Sequence, residues 1–204
     1  FTIRLEGVGC HGAMPHQGKD PVVAASLLVL ALQSIVSRQI DPIDNAVISV
    51  TTVHGGDAFN VVPDRVELKG TVRTYKRETQ AFIIARMRET VEAIAAAQAM
   101  TGTLTYDLGY PATVNAAEEA RLGADAAREI VGEGNVHWNS PPCMGAEDFA
   151  YMLEQRPGSY IWMGNGGGPD GKVCHSPFYD FDDAALPVGV SYWARLVERL
   201  LPRA

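Results

Sequence analysis

The sequence is that of an ordinary globular protein with a moderate negative charge. It has 204 residues, of which 47% are hydrophobic and 20% charged, and its mean hydropathy is −0.02. This composition excludes disordered, collagen-like and coiled-coil classes. The formal net charge of −7 argues against a nucleic-acid partner or an anionic membrane surface.

The cysteines and the apolar stretches bear on the cellular compartment and on association with a membrane. Three widely spaced cysteines exclude a disulfide framework and favour a reducing, cytoplasmic location. The longest apolar stretch, Pro21–Leu32, is shorter than a bilayer span, so we expect no membrane partner. The chain opens at Phe1 within a strand pattern and without a Met, which suggests a segment of a longer protein.

The first 111 residues predict a domain of alternating strands and helices. Asp20 caps a helix whose first residue is Pro21, and Val66–Arg73 alternates apolar and polar residues as a strand does. In chain order we predict a strand at Ile3–Leu5, a helix over Pro21–Arg38, strands at Ala46–Val53 and Val66–Arg73, a helix around Ile83–Ile94 and a strand at Leu104–Leu108. This α/β order, βαββαβ, is that of a ferredoxin-like sandwich with both helices on one sheet face.

Residues 112–204 have a different character. They carry 7 basic and 13 acidic residues, a net charge of −6, whereas residues 1–111 carry 10 and 11, a net charge of −1. The predicted elements are helices at 116–131, 147–155 and 187–201, a short strand at Tyr160–Met163 and a loop over Gly164–Pro177. With so few strands to cover, these helices predict part of a larger α/β domain.

Two glycine-rich segments resemble nucleotide-binding motifs only in part. Gly7–Gly12 spells G-x-G-x-x-G, but a helix would have to open on its last glycine, and the predicted one begins near Asp20. Gly166–Lys172 resembles a phosphate loop, but Val173 replaces the hydroxyl residue that would bind magnesium. We therefore predict neither site.

Two Cys-His dipeptides raise the possibility of a zinc site. Adjacent residues in extended backbone point to opposite sides, so Cys10-His11 and Cys174-His175 would offer one ligand each. Two ligands do not close a structural site. We expect both cysteines to be small buried hydrophobic residues instead.

Two histidines lie in loops suited to chemistry. His175 follows a predicted strand in a polar, glycine-rich loop, where an imidazole can bind a divalent metal; the alternative is a surface histidine beside aspartates that cap the next helix. His11 lies between Gly9 and Gly12 and can donate to a developing oxyanion; the alternative is a turn histidine.

Three further residues are weaker candidates. Asn60 is either a turn residue or an amide that contacts substrate, and Arg73 shares a strand face with charged neighbours, which also fits a solvated face. Glu147 opens a helix, where a carboxylate stabilises the helix dipole without any role in catalysis. The residue types alone leave these alternatives open.

Six motifs in order resemble one family across essentially the whole chain. The sequence is similar to the metal-dependent amidohydrolases that include hippurate hydrolase, N-acyl-amino-acid amidohydrolases and carboxypeptidase G relatives. The motifs are Gly9–His16, Asp20–Ala25, Gly56–Pro63, Gly70–Arg73, Met144–Phe149 and His175–Pro177.

The resemblance implies two domains with different roles. Residues 1–111 resemble the inserted lid domain that forms a homodimer, and 112–204 resemble the C-terminal part of a catalytic domain with two divalent metal ions, zinc or manganese, per subunit. It implies that His175 is a metal ligand and that His11, reaching across the dimer, stabilises the tetrahedral intermediate. Asn60, Arg73 and Glu147 match positions that contact the small-molecule amide substrate or lie near it.

The sequence differs from the family pattern in one respect, and this difference limits the activity expected of the chain alone. The family's other metal ligands and its water-activating glutamate lie in a segment before the lid, and no such segment is present in this sequence. A single histidine cannot bind two metals or lower the pKa of water, so we expect activity only from a longer protein. The alternatives are a non-catalytic dimerisation or binding module and an aminopeptidase or dipeptidase of the same clan.

Overall fold

The chain folds into two compact units. A computed structural model describes residues 1–166 and 174–201 and divides the chain into Phe1–Ala112 (unit 1) and Thr113–Ala204 (unit 2). The mixed α/β class predicted from the sequence is confirmed.

Unit 1 is built on a four-stranded antiparallel sheet. Its elements are β1 (Thr2–Glu6), β2 (Cys10–His11), α1 (Pro21–Gln39), β3 (Ala46–His54), β4 (Val61–Val62), β5 (Arg65–Thr74), α2 (Arg77–Ala97) and β6 (Thr101–Thr105). The sheet order is β3-β5-β1-β6, so the first strand lies in the interior of the sheet and β3 and β6 form its edges. The short strands β2 and β4 pair separately with each other.

The core of unit 1 lies between the sheet and its two helices. Ile3 and Leu5 of β1 and Leu68 of β5 are fully buried and face the same cluster as Leu28 of α1 and Met87 of α2. Alternation of apolar and polar residues in each strand directs one set of side chains to this cluster. The helical spacing of the buried residues does the same for α1 and α2.

Helix α1 starts where the sequence predicts. The Asp20 carboxylate accepts a hydrogen bond of 2.8 Å from the Val22 amide, and Pro21 occupies the first turn. The helix is 19 residues long and, by length and composition, apolar enough to cross a membrane, so the expectation of a shorter apolar segment is wrong. Burial of Leu28, Leu32 and Ile35 in the core of unit 1 accounts for this apolar character.

Strand β6 begins earlier than expected. The strand predicted at Leu104–Leu108 covers Thr101–Thr105, because its partner β1 extends only from Thr2, which pairs with Thr105, to Glu6, which pairs with Thr101. Beyond Thr105 no residue of β1 remains to pair with the chain.

Unit 2 is helical in the part that the structure describes. It contains α3 (Ala117–Val131), α4 (Phe149–Gln155) and α5 (Leu186–Leu200). Helices α3 and α5 pack together: Arg199 and Arg195 of α5 form ion pairs with Glu129 of α3, the latter at 3.1 Å.

The strand predicted at Tyr160–Met163 does not form. A strand needs a neighbouring strand to which it is hydrogen-bonded, and the described residues of unit 2 form no strand. At Tyr160 the side chain of Asn115 binds the backbone groups that a neighbouring strand would bind. Its Nδ2 donates to the Tyr160 carbonyl at 2.9 Å, and its Oδ1 accepts from the Tyr160 amide at 2.8 Å.

Candidate active-site residues

His11 lies on a small two-stranded ladder at the surface of unit 1. It is the second residue of β2 and pairs with Val61 of β4, while Cys10 pairs with Val62. The Gly12 amide continues the connection by donating to the Asn60 carbonyl at 2.7 Å. A Cβ on Gly12 would lie 3.0 Å from that oxygen, so glycine permits this close approach.

The local backbone determines which ring nitrogen of His11 carries the proton. The Ala13 amide donates a hydrogen bond of 3.0 Å to Nδ1 of His11. Nδ1 is therefore an acceptor, and the neutral imidazole carries its hydrogen on Nε2. Since the side chain is exposed, Nε2 is a donor available to a bound molecule.

Asn60 lies next to the ladder that carries His11. It occupies the turn immediately before β4, and its exposed side chain follows that of Phe59. Phe59 is fully exposed, and Val61 and Met14 are 50% and 45% exposed. Polar groups of His11 and Asn60 thus stand among exposed apolar side chains, an arrangement suited to binding a partly apolar molecule.

Arg73 lies at the other end of β5 from this ladder. It pairs with Val47 and donates hydrogen bonds to the Thr71 hydroxyl and, at 3.0 Å, to the Val72 carbonyl. It lies eight positions after Arg65, which is about 26 Å along an extended strand. The structure therefore brings His11 and Asn60 together and keeps Arg73 apart from them within unit 1.

Glu147 lies beside Tyr160 in unit 2. Burial raises the pKa of the Tyr160 hydroxyl, and the charge of the Glu147 carboxylate and its hydrogen bonding raise it further. Glu147 precedes α4, and its carbonyl accepts from the Ala150 amide at 3.2 Å. No local pattern in the sequence indicates the tyrosine partner, because the two residues are thirteen positions apart.

His175 occupies a strained position in a surface turn. It is exposed and has φ of 72°, a left-handed conformation that non-glycine residues rarely adopt and that is frequent at functional sites. The next residue, Ser176, accepts from the Phe178 amide through its hydroxyl at 3.2 Å and from the Tyr179 amide through its carbonyl at 3.1 Å. Asp182 caps the following helical turn through the Ala184 amide, which is the role that the alternative reading gave to the aspartates.

A complete metal site is not formed by the residues that the structure describes. Within 1–166 and 174–201, no three His, Cys, Asp or Glu side chains gather as a group that could hold a metal ion. His175 alone cannot supply the ligands of even one catalytic centre. The prediction of buried cysteines is wrong for Cys174, which is exposed, and only partly right for Cys10, which is partly buried. The phosphate-loop resemblance lies almost entirely outside the described residues.

The sequence reasoning missed Asp64. Its carboxylate accepts from the Gly9 amide at 2.8 Å, and its carbonyl accepts from the Gly7 amide at 2.7 Å. The signal available was the Pro63-Asp64 pair between two strand patterns, which marks a polar turn residue but not its partner.

Comparison with known proteins identifies the family. The sequence profile of Peptidase family M20/M25/M40 matches residues 8–199. Hippurate hydrolase of Campylobacter jejuni is 34% identical over 98% of this chain and 52% of its own length, and N-acetylcysteine deacetylase of Bacillus subtilis is 36% identical over 96% and 50%. The chain thus spans about half the length of the curated relatives it matches.

Solved structures agree with the sequence relatives. The YXEP protein of Bacillus subtilis, described as a dinuclear metal binding peptidase, is 31% identical with a TM-score of 0.67 over 100% of this chain and 51% of its own. A Staphylococcus aureus tripeptidase is 20% identical with a TM-score of 0.75 over 99% and 51%, and shows likeness of fold alone. The fold is of the mixed α/β class. The chain belongs to Peptidase family M20/M25/M40.

Proposed function

We propose that the protein containing this chain is a metal-dependent amidohydrolase that cleaves the amide bond of N-acyl amino acids or related substrates. The observation that carries the proposal is the paired ladder that holds His11 beside Asn60, with Nε2 of the imidazole left as an exposed donor. The names of the relatives, which include a hydrolase of hippurate and a deacetylase of N-acetylcysteine, support this substrate class.

His11 acts on the reacting carbonyl in this proposal. When water adds to an amide carbonyl, negative charge develops on its oxygen, and a donor aimed at that oxygen lowers the barrier. The Ala13 amide keeps Nδ1 engaged as an acceptor, so Nε2–H remains available without rearrangement. His11 is therefore the catalytic residue that this chain contributes.

Asn60, Arg73 and Glu147 are proposed to bind substrate, and the structure suggests a means for the first two. Asn60 offers an amide next to His11, and the exposed Phe59 offers an apolar surface for an acyl group. Arg73 offers a guanidinium suited to a carboxylate. Its distance from His11 within unit 1 means that the two residues would serve one substrate only if they come from different subunits.

The proposed reaction needs a divalent metal, zinc or manganese, to activate water, and the chain does not supply its site alone. His175 is proposed as one ligand. Its side chain is exposed, and its left-handed backbone conformation suits a residue that is held in place by a bound metal ion. The remaining ligands would come from protein outside the described residues. By itself the chain is therefore proposed to be inactive.

Unit 1 is proposed to form a homodimer. Its edge strand β3 is nine residues long, and an edge strand of this length presents unpaired backbone groups to another chain. Helix α1 contacts the sheet beside it and exposes Val23, Leu27 and Leu30, the last at 71%, at helical spacing. Such a surface supports isologous pairing about a two-fold axis.

The dimer is tested by sedimentation of this chain at several concentrations. We expect a dimer for the unmodified chain and a monomer for Leu30→Glu. Leu108→Glu, at a residue 63% exposed and outside α1 and β3, is the matched control and should remain dimeric. A monomer for the unmodified chain at high micromolar concentration would contradict the proposal, and a dimer without any activity in the complete protein would favour the non-catalytic module.

Unit 2 has an exposed apolar face that supports a larger catalytic domain. Val190, Trp193 and Val197 of α5 are 69%, 63% and 54% exposed and lie at helical spacing on one side of the helix. An apolar face of this kind on a helix is ordinarily covered by a sheet or another helix. We propose that the rest of the catalytic domain covers it.

The activity is tested in the complete protein loaded with manganese or zinc and assayed on N-acyl amino acids. His11→Ala should lower kcat by about 10²- to 10³-fold, the loss expected for one oxyanion donor. His175→Ala should abolish metal-dependent turnover and weaken metal binding. His16→Ala, five residues from His11 in the same exposed segment, is the control and should retain activity. Turnover at the unmodified rate by both the His11 and His175 variants would refute the proposal.

A further inference from the structure

Asp64 holds the segment between β1 and β2 at two points. Its carbonyl accepts from the Gly7 amide at 2.7 Å, and its Oδ1 accepts from the Gly9 amide at 2.8 Å. The fit is close, because a Cβ on Gly9 would lie 2.9 Å from Oδ1 of Asp64 and 2.9 Å from the Val62 carbonyl oxygen. One residue therefore fixes the path of the chain immediately before β2.

The ladder that carries His11 is too short to fix itself. Strands β2 and β4 have two residues each and pair only with each other. Isolated two-stranded ladders are marginally stable even when they are much longer. The position of His11 thus depends on the bonds that flank the ladder. On one side these are the Asp64 carboxylate to Gly9 and the backbone bonds Asp64 to Gly7 and Val8 to Lys19, and on the other side Asn60 to Gly12.

The two ends differ chemically. The bond at Gly12 is made by backbone groups and persists with any side chain at position 60. The bond at Gly9 uses a carboxylate, and a hydrogen bond to an ionised acceptor is stronger than one between neutral groups. The side chain of Asp64 is thus the component of this arrangement that a substitution can remove without changing His11 or Asn60.

We propose that Asp64 is a positioning residue for His11: by binding the Gly9 amide it holds the β2–β4 ladder in the geometry that presents Nε2–H of His11 to the substrate. The proposal rests on the proposed function of His11 as a donor to the oxyanion. A donor of this kind acts mainly in the transition state, so its misplacement lowers kcat and leaves KM largely unchanged.

The kinetic test uses the complete, metal-loaded protein with three variants. Asp64→Ala removes the acceptor, and Asp64→Asn keeps an oxygen acceptor. Glu67→Gln alters a nearby carboxylate in β5, whose ion pairs are with Arg4 and Lys69. We expect Asp64→Ala to lower kcat roughly tenfold, in the range that displacement of a catalytic group by a fraction of an ångström produces. Asp64→Asn should recover most of the loss and Glu67→Gln should show none. Equal kcat for Asp64→Ala and the unmodified protein would overturn the proposal.

A spectroscopic test on this chain separates positioning from the proposed reaction. The ¹⁵N shifts of the His11 ring report which nitrogen carries the proton, and they should change from a single Nε2–H form toward a mixture in Asp64→Ala but not in Glu67→Gln. Unchanged ring shifts in Asp64→Ala would overturn the positioning role. If the ring shifts change while His11→Ala leaves kcat unaltered, the positioning of His11 stands and its catalytic role fails.

Discussion

Leu28 and Leu30 allow a direct test of which side of α1 stabilises unit 1. The two leucines are two positions apart on one helix, yet Leu28 is fully buried and Leu30 is 71% exposed. Replacement by alanine makes the same chemical change at both and slightly favours the helix at both. Any difference between the two variants therefore reports burial.

The expected cost at Leu28 follows from its surroundings. Its neighbours in the core include Ile3, Leu5 and Leu68, all fully buried, so little of the space left by the removed atoms can be refilled. Truncation of a buried leucine in such a site costs about 3 to 4 kcal/mol, including the cavity term. For Leu30→Ala, measured at a concentration low enough for the chain to be monomeric, we expect a change within about 0.5 kcal/mol, as for surface substitutions generally.

Urea unfolding of this chain, followed by far-UV circular dichroism, measures both values. With a slope of about 2 kcal/mol per molar urea, Leu28→Ala should lower the unfolding midpoint by about 1.5 to 2 M. Leu30→Ala should leave the midpoint almost unchanged. Equal losses at the two positions would refute the assignment of the inner face of α1.

Three further predictions concern ionisable and polar groups. The hydrogen bond from Lys76 lowers the pKa of Asp44 below its ordinary 3.8, so the carboxylate stabilises unit 1 above that value; this stability is lost as pH falls through the lower folded pKa, and Asp44→Asn should flatten that part of an acid titration followed by circular dichroism. Burial raises the pKa of Tyr192 above its ordinary 10.0, so unit 2 should lose stability as pH rises past that value. Tyr192→Phe should reduce this alkaline loss in tryptophan fluorescence, the remainder coming from Tyr160, while Tyr179→Phe, at an exposed tyrosine, should leave it unchanged. Asn115→Ala removes both hydrogen bonds to Tyr160 and should cost about 1 to 2 kcal/mol in urea unfolding monitored by fluorescence; an unchanged midpoint would mean that the two bonds contribute nothing.

The elements that the sequence predicts well are those whose signals are local. Asp20-Pro21 contains both the cap and the first turn of α1, and the alternation from Val66 to Arg73 marks β5 without reference to any other strand. By contrast, the limits of β6 depend on where β1 ends, and Tyr160–Met163 does not form a strand because the described part of unit 2 contains no neighbouring strand. Partners of this kind are set by tertiary pairing, which a pattern along the chain does not contain.

The residues of the candidate site also divide into those that the sequence predicts and those that only the structure reveals. His11 and Asn60 can be selected from residue type and glycine spacing, but their pairing through two-residue strands is below the length at which periodicity is detectable. Asp64 and Tyr160 escape notice because each acts through a hydrogen bond or a charge contact to a residue distant in sequence. Arg73 matched the residue type for substrate binding, but only the structure gives its distance from His11.

The interior position of β1 has a consequence for synthesis of the protein. Thr2 pairs with Lys69 on one side and with Thr105 on the other, so the earliest strand of unit 1 to be made is the last to be fully enclosed. The ribosome needs roughly 5 to 20 s to add the 100 or so residues between those points. Until Thr105 has been added, the edge of β1 that β6 covers in the folded sheet keeps its backbone groups unpaired, and such an edge can pair with another chain.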